Sequence, residues 1–388
     1  MEASRVRTAA LCLLQGASLR AAAAQAGYAD GAACAADVQA GLHATPDALR
    51  RWEASGRYRI VYGAPFHLQQ TLAYLGRDPG NLAERVEGQR YARHFPLGRG
   101  AVPVTLHLAA DHCTVHARRP QSPGRALELH ELLVRVLGLA QPLPAFYRAA
   151  RHHPVMGELV RRFAGVRIPQ LPSLWEALCW AVIGQQINLA FAYRLRNRLI
   201  ALAHGVPAAR VLSDMVRPDG VPSGRVPSGS RPSGSRPSDS RPSDSRPARL
   251  LPFPAPAAVL RLRAQDLTAV QFSRQKARYL LGLAEACHAG ELRGLEQGAR
   301  DWPAIEARLL AQTGLGPWST AYAMMRGLGY LDGLPVGDTG LRTALQRSFR
   351  LRKPPTVAQQ ERLMEPFRPY RSLATYYLWK SLATVSAG

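Results

Sequence analysis

One aspartate in the C-terminal part of the chain has a setting that suits catalysis. Asp338 follows the sequence Pro-Val-Gly and precedes residues 341–349, whose pattern predicts a helix. An aspartate before a helix is most often a cap, whose carboxylate accepts a hydrogen bond from the first turn. A carboxylate fixed in that way can also stabilise positive charge that develops on a substrate. Both interpretations can hold for one side chain, so a catalytic Asp338 is a hypothesis at this point.

Upstream of Asp338, a glycine-rich segment predicts a tight turn between two helices. Residues 305–312 and 318–326 have helical patterns. The residues between them are Thr313, Gly314, Leu315, Gly316 and Pro317. Glycine allows unusual backbone torsions and close approach, and proline suits the first position of a helix. The free N–H groups at the start of the second helix can bind a phosphate. An ordinary helical hairpin without a ligand is the alternative.

The charge balance favours a polyanionic partner. The 388 residues include 50 Lys and Arg against 27 Asp and Glu, which gives a formal net charge of +23. A field of this sign attracts nucleic acid. Almost all of these cations are arginine, so part of the excess can also reflect the base composition of the genome.

The cysteines and the hydropathy pattern argue against several classes of protein. The five cysteines are scattered singly, which predicts neither a metal site nor a secreted disulfide framework. No apolar run approaches the ~18 residues that a membrane span needs. The apolar patch near the N-terminus is too short for a signal peptide. We therefore expect a cytoplasmic protein with no membrane partner.

The chain divides into regions by pattern. Residues 1–52 predict short helices, and residues 57–140 mix strand-like and helical segments. From residue 145 onward the pattern is helical, with one interruption at 218–247, where an Arg-Pro-Ser pentad recurs. This segment has almost no apolar residue to offset the entropy of ordering. We expect a disordered basic insertion there.

Four ordered motifs resemble those of the helix-hairpin-helix DNA glycosylases, and most closely the DNA-3-methyladenine glycosylase II family. The sequence of residues 314–322, followed by Asp338, has the form of the family signature. Residues 178–188, 272–277 and 366–379 are similar to further family segments in the same order. The resemblance spans about 57–388 apart from the insertion, and the number of matching motifs makes it specific.

The resemblance implies a mainly α fold with an α+β N-terminal domain. Residues 145–388 would form the glycosylase domain in two helical lobes, preceded at 57–140 by a curved antiparallel sheet domain like that of TATA-binding protein. The implied enzyme is a monomer in the bacterial nucleoid. Its partner is double-stranded DNA with alkylated bases, such as 3-methyladenine and 7-methylguanine, which it extrudes from the duplex and hydrolyses from the sugar. No metal and no cofactor is expected, except a monovalent cation that backbone carbonyls of the hairpin could hold.

The resemblance also implies a role for each site residue. Asp338 is the catalytic carboxylate. Trp318, Tyr322 and Trp379 form the substrate pocket, because electron-rich rings attract cationic alkylated purines; core packing is the alternative for each ring. Two glutamines, Gln185 and Gln186, form the wedge that enters the duplex, and Gln186 replaces an apolar residue of the family pattern. The hairpin, Thr313, Gly314, Leu315 and Gly316, binds DNA phosphate.

One substitution within the motif bears on the reaction type. Glycosylases of this fold that also cleave the strand use a lysine amine as nucleophile. Their lysine stands where this chain has Trp318. We therefore expect a monofunctional enzyme without lyase activity.

Residues 1–52 resemble the second half of an AraC-type helix-turn-helix region. The recognition helix would be 31–39, but it is mostly alanine with Cys34, Asp37 and Gln39. Base readout uses Arg, Asn or Gln on that face, so we interpret the region as a degraded remnant. Two alternatives stay open: a non-enzymatic DNA-binding transcriptional regulator, and a glycosylase for deaminated or oxidised bases.

Overall fold

The structure is a computed structural model that describes residues 2–63, 65–118, 120, 122–214, 250–296 and 300–383. The predicted basic insertion, 218–247, lies outside the described residues. Within them, helices predominate and the strands form one small sheet. No helix in these ranges combines the length and the apolar character needed to cross a bilayer.

Four short helices begin the chain, and polar side chains define their starts. Ser18, Asp30 and Thr45 each accept a hydrogen bond from a backbone N–H in the first turn of the helix that follows. The short helices predicted for residues 1–52 are confirmed, and there are four of them. The four are α1 (Glu2–Leu14), α2 (Leu19–Gln25), α3 (Gly31–Leu42) and α4 (Pro46–Ser55).

The N-terminal α+β domain contains an antiparallel sheet, as predicted, and the sheet has five strands. Its order is β1-β5-β4-β3-β2. Side chains alternate between buried and more exposed along β3 and β5, as expected for a sheet with one face on a core. The strands are β1 (Arg57–Val61), β2 (Glu84–Glu87), β3 (Arg90–Leu97), β4 (Gly100–Leu108) and β5 (His112–His116). Two helices accompany them, α5 (Leu68–Leu75) and α6 (Pro123–Val136).

One hydrophobic core is shared by helices α1–α4, the sheet and α6. Polar contacts connect the same elements. The ring of His130 on α6 bonds to the Tyr58 hydroxyl at 3.0 Å and to the Leu42 carbonyl oxygen at 2.7 Å. The indole N–H of Trp52 donates to the Ala117 carbonyl oxygen at 3.1 Å. The first four helices are thus packed into the same folding unit as the sheet.

The rest of the described chain forms two helical lobes, as predicted. One core draws its residues from 171–328, and the other from 143–168 and 325–378. We call the lobe built on 171–328 the first lobe and the other one the second lobe. The chain passes through part of the second lobe, then through the first, and then returns to the second. The cleft between the lobes lies near the two places where the chain passes from one to the other. The helices are α7 (Leu143–Ala150), α8 (Pro154–Arg162), α9 (Leu174–Gly184), α10 (Leu189–Ala203), α11 (Ala208–Asp214), α12 (Pro256–Val259), α13 (Ala264–Ala269), α14 (Arg274–Ala289), α15 (Trp302–Leu310), α16 (Pro317–Ala323), α17 (Thr339–Ser348), α18 (Val357–Met364) and α19 (Arg371–Ala383).

A buried cluster of charges joins the sheet domain to the first lobe. Arg93 on β3 contacts Glu84 on β2 at 3.1 Å and Glu176 on α9 at 2.9 Å. Arg196 on α10 contacts Glu176 at 2.8 Å. Burial alone would raise the pKa of Glu84, but the neighbouring arginines outweigh it and lower that pKa to about 2. Separating the sheet domain from the lobe would leave buried charges unpaired, which is unfavourable. The cluster therefore holds the sheet domain against the lobe.

Candidate active site

The carboxylate of Asp338 is held by three donors. It caps α17, because its Oδ1 accepts a hydrogen bond from the Leu341 backbone N–H at 2.7 Å. Its Oδ1 also accepts from the indole N–H of Trp379 at 3.0 Å, and its Oδ2 from the indole N–H of Trp318 at 3.0 Å. Asp338 is half-buried. The capping interpretation is therefore confirmed, and the two indoles orient the same carboxylate at the edge of the cleft.

The three predicted pocket aromatics lie around this carboxylate. Trp318 stands in the first turn of α16 and stacks on Tyr322 one turn later, with ring centroids 5.5 Å apart. Trp379 on α19 meets Tyr376 edge to face at 6.4 Å. Each of the three predicted rings is only partly buried, and Tyr322 and Trp379 also pack against the core of the second lobe. Their role in binding a base stays a prediction.

The predicted hairpin connects α15 to α16, and its first glycine is required by the geometry. Gly314 has a φ of +94°, which disfavours residues with a Cβ. A Cβ at this position would lie 2.3 Å from the ring of Tyr279. Leu315 is buried beside it, whereas Thr313 and Gly316 are exposed. The exposed backbone leaves N–H groups available to DNA phosphate, and that contact stays a prediction.

The two predicted wedge glutamines have different surroundings. Gln185 follows α9, and its side-chain amide donates to the Gly314 carbonyl oxygen at 2.8 Å and to the Ser319 hydroxyl at 2.9 Å. It thereby braces the hairpin. Gln186 is exposed and has a φ of 55°, which is uncommon for a residue other than glycine. The two glutamines and the hairpin line one concave cavity of ≈ 330 Å³. Both wedge assignments stay predictions, and the exposed side chain is that of Gln186.

An apolar side chain beside the wedge was not singled out from the sequence. Leu189 is 57% exposed, the largest exposed fraction among the big hydrophobic residues that the structure describes. It begins α10, directly after the Asn188 cap. The cap followed by an apolar residue is the signal that could have revealed it, since the first turn of a helix that leaves an exposed loop is itself exposed.

The sheet domain also reaches this site, through residues that the sequence analysis did not find. Tyr74 on α5 lies 6.0 Å from the ring of Tyr376 and accepts a hydrogen bond from the Arg326 guanidinium. The guanidinium of Arg77 stacks over the Tyr74 ring at 3.8 Å. Burial raises the pKa of the Tyr376 hydroxyl well above its usual value. No local motif marks Tyr74, because its partners Arg326 and Tyr376 lie more than 240 positions away in the chain.

The predictions on bound ions are not tested by this geometry. Within the part of the chain that the structure describes, no three His, Cys, Asp or Glu side chains lie together as a metal site. A monovalent cation at the hairpin would compete at the Gly314 carbonyl with the amide of Gln185. The cation stays a prediction that rests on the other hairpin carbonyls.

Several known proteins are similar to this chain in sequence or in fold. Residues 179–369 match the family model of the HhH-GPD superfamily base excision DNA repair protein. A DNA-3-methyladenine glycosylase of Bacillus subtilis is 25% identical to the chain over 82% of this chain and 94% of its own length. A Mycobacterium tuberculosis protein named "Probable bifunctional transcriptional activator/DNA repair enzyme AlkA" is 27% identical over 89% of this chain and 63% of its own. A 3-methyladenine DNA-glycosylase from Archaeoglobus fulgidus has the same fold, with a TM-score of 0.63, 20% identity and coverage of 83% and 97%.

Proposed function

Because the chain belongs to the HhH-GPD superfamily of base excision DNA repair proteins, we propose that it is a DNA glycosylase that hydrolytically removes alkylated bases from duplex DNA. The observation that carries this proposal is the carboxylate of Asp338, which the indoles of Trp318 and Trp379 hold at the cleft. The net charge of +23 supports an enzyme that binds DNA along its backbone.

The chemistry follows from these side chains. The nucleotide must leave the stack to reach Asp338, and Gln186 would fill the gap that it leaves. As the bond between C1′ and the base nitrogen breaks, its electron pair leaves with the base and positive charge develops on the sugar. The Asp338 carboxylate stabilises that charge, and a water then adds to C1′ and releases a proton. A cationic alkylated purine leaves as a neutral base, so this reaction needs no dedicated acid.

The rings of Trp318, Tyr322 and Trp379 support the choice of an alkylated purine. Trp318 and Tyr322 are nearly parallel, with 22° between their planes. Stacked electron-rich faces attract a positively charged purine more strongly than an uncharged one. Bases such as 3-methyladenine and 7-methylguanine are therefore the proposed substrates.

The absence of lyase activity is the second part of the proposal. Trp318 occupies the position at which lyases of this fold carry lysine, and its N–H is bonded to Asp338. Lys276 donates to the Ile183 carbonyl oxygen at 2.6 Å, so its amine is engaged away from the carboxylate. Treatment with borohydride should trap no covalent complex with DNA. A trapped complex would contradict the monofunctional mechanism.

A matched pair of substitutions tests the carboxylate. Asp338→Asn keeps most of the capping ability, so the protein should fold, but single-turnover release of 3-methyladenine should fall by about 10²–10³ or more. Asp301→Asn is the control, since Asp301 caps α15 through the same contact, to the Ala304 N–H at 3.1 Å. It should leave the rate unchanged. DNA affinity should persist in both variants, because phosphate contacts supply most of it.

The outcomes separate the alternatives. An Asp338→Asn variant that excises at the wild-type rate would show that Asp338 is only a cap. A wild-type protein that releases neither 3-methyladenine nor 7-methylguanine, but binds DNA, would favour the transcriptional regulator. Release of only deaminated or oxidised bases would favour the other glycosylase. Light scattering after size exclusion tests the proposed monomer.

A further inference from the structure

The five-stranded sheet has a second face that does not pack against a core. Because side chains alternate along a strand, Arg57 and Arg59 of β1 lie on the opposite side from Tyr58 and Ile60, which are buried. Both arginines are exposed, and Arg90 of β3 is exposed on the same side. We call this side of the sheet its outer face, and we call the side that carries the buried residues its inner face.

The strand register aligns the side chains of the outer face in two rows that cross all five strands. The rows lie two residues apart along each strand, as neighbours on one face must. The first row is Arg59, Thr114, His107, Arg90 and Glu87. The second row is Arg57, His116, Thr105, Ala92 and Arg85. Each row thus has an arginine on β1 and a second arginine on β3 or β2, with small or polar residues in between.

The charges of the two rows converge on the middle of the outer face. The rings of His107 and His116 lie 5.0 Å apart there. Burial lowers the pKa of His116, and Arg57, His107 and Arg90 lower it further. The ring of His116 thus interacts with arginines on both sides, and an anion placed over the centre of the face would meet positive charge from β1 and from β3.

Carboxylates offset part of this charge at the margins of the face. Glu87 lies 3.7 Å from the guanidinium of Arg85. In the turn before β5, Asp111 contacts the ring of His112 at 2.8 Å and also interacts with Arg59. The two rows and this turn together hold four arginines against two carboxylates, so the outer face stays positive at neutral pH.

The outer face points away from the first lobe. Arg93 of β3 is buried on the inner face, where it contacts Glu176 of the first lobe at 2.9 Å. Arg90 lies on the other side of the same strand. DNA that rests on the outer face would therefore be a different stretch from the one whose base reaches Asp338.

We propose that the outer face binds the phosphate backbone of a second stretch of duplex DNA. At about 4.8 Å per strand, the arginines at its two sides are about 14–19 Å apart. Such a spacing suits the two backbones that border the major groove, which is about 12 Å wide. Phosphate contacts carry no information on base sequence, so this surface would hold the protein on undamaged DNA. The inference goes beyond base excision and does not depend on it.

A sandwich assay tests for two DNA-binding surfaces on one molecule. An immobilised duplex holds the protein, and a labelled, undamaged duplex of about 12 base pairs, slightly more than one helical turn, is then added. Wild-type protein should capture the labelled duplex, and log K should fall with log salt at a slope of about −3 for three phosphate contacts. Single-turnover release of 3-methyladenine and the Tm are measured in parallel.

Matched triple variants locate the second surface. The test variant combines Arg57→Gln, Arg59→Gln and Arg90→Gln. It should reduce capture about tenfold or more and leave 3-methyladenine release within about twofold of wild type. Replacing the same three arginines by lysine keeps the charge and should retain capture within about threefold. The control combines Arg148→Gln, Arg161→Gln and Arg162→Gln, at exposed positions of the second lobe. It should change capture less than about twofold at about 0.1 M salt, which screens charges beyond about 10 Å.

Each result decides for or against the outer face. Loss of capture in the test variant alone, with unchanged Tm and base release, supports the proposal. Normal capture by the test variant overturns it, and so does an equal loss in the control, because overall charge would then be the cause. A lysine variant as weak as the test variant also overturns it. A wild-type protein that releases 3-methyladenine but captures no second duplex overturns the second surface and leaves the proposed function intact. Normal capture without release of any base contradicts the proposed function and supports the surface.

Discussion

Two pairs of helices in this chain resemble DNA-binding motifs, and their exposed surfaces differ. In α2–α3, the exposed face of α3 carries Ala32, Ala33, Ala36, Gln39 and Ala40, so it offers methyl groups and one amide. In α15–α16, the hairpin exposes backbone beside Gly316 and is braced from behind by Gln185. The first pair has the geometry of such a motif without side chains that read bases, whereas the second exposes backbone that we expect to contact DNA phosphate.

The buried faces explain why both pairs fold. Helix α3 buries Cys34, Val38 and Leu42, and the Leu42 carbonyl is bonded to His130 of the sheet domain. Burial of apolar side chains is enough to retain a helical motif as scaffold. The exposed face of the hairpin does not contribute to packing, and we expect DNA phosphate to bind there. Folding alone therefore cannot identify which motif binds DNA.

The largest expected effect is a loss of stability at acidic pH in the N-terminal part of the protein, to which the α2–α3 pair belongs. His130 is fully buried, and desolvation, reinforced by His43, lowers its pKa to about 4, although the Leu42 carbonyl opposes the shift. The unfolded chain then binds a proton that the folded one does not, so stability is complete above about pH 6.5 and falls as the pH drops to about 4. The expected loss is about 3 kcal/mol.

Chemical denaturation at pH 7 and pH 4.5 measures this dependence. His130→Phe should be less stable at pH 7, since Tyr58 and Leu42 lose their partner, but its stability should change less with pH. His152→Phe, at an exposed position, is the control. An unchanged pH dependence in His130→Phe would show that protonation of another group causes the loss of stability in acid.

The next effect concerns the hairpin. Gly314→Ala places a Cβ against the Tyr279 ring in a backbone conformation with φ of +94°, which costs about 1–3 kcal/mol. We expect affinity for undamaged duplex DNA to fall about tenfold, because the exposed N–H groups are displaced. Gly100→Ala, at the exposed start of β4, is the control, since no atom lies within 4 Å of a Cβ there. Fluorescence anisotropy measures both, and equal affinities would separate the hairpin from DNA binding.

The sequence predicted the carboxylate, the hairpin and the pocket aromatics because these residues share local motifs with fixed spacing. It also predicted the helical lobes, whose apolar periodicity is strong. It missed β2 and β3 in the sheet, because the charged Arg93 stands at a buried position of β3 and Pro96 is unusual within a strand. The charge of the buried Arg93 is offset by ion pairs with residues on other elements. The sequence of one segment does not show such distant partners.

The surroundings of the site were predictable to a smaller extent. The brace from Gln185 to Gly314 joins residues 129 positions apart, and the Tyr74–Arg326 contact joins residues 252 positions apart. Neither pair has a periodic or spaced signature. The contacts of Tyr74 depend on how the sheet domain docks on the lobes, which is a property of the whole fold.

A smaller effect is expected from the basic insertion, which belongs to neither motif. Deleting residues 218–247 and joining the flanks should leave Tm and base excision nearly unchanged, because the segment has almost no apolar residue to bury. Affinity measured at low and at physiological salt is the second readout. A selective loss at low salt would indicate that the insertion tracks phosphates, and a large loss of Tm would contradict its independence from the fold.

The smallest effect is expected on the exposed face of α3. Ala36→Glu adds a negative charge at the centre of the would-be recognition surface, where a working reader would meet phosphate or base edges. If α3 is only scaffold, affinity for duplex DNA should change less than about twofold at physiological salt, since the charge is then screened beyond about 8 Å. Ala36→Gln has a similar size without the charge and controls for changes in helix packing. Fluorescence anisotropy measures the DNA affinity of both variants. The same measurement on the hairpin variants allows the two motifs to be compared directly. A loss of tenfold or more in Ala36→Glu alone would show that α3 lies against DNA, and the contrast between the two helix pairs would then be wrong.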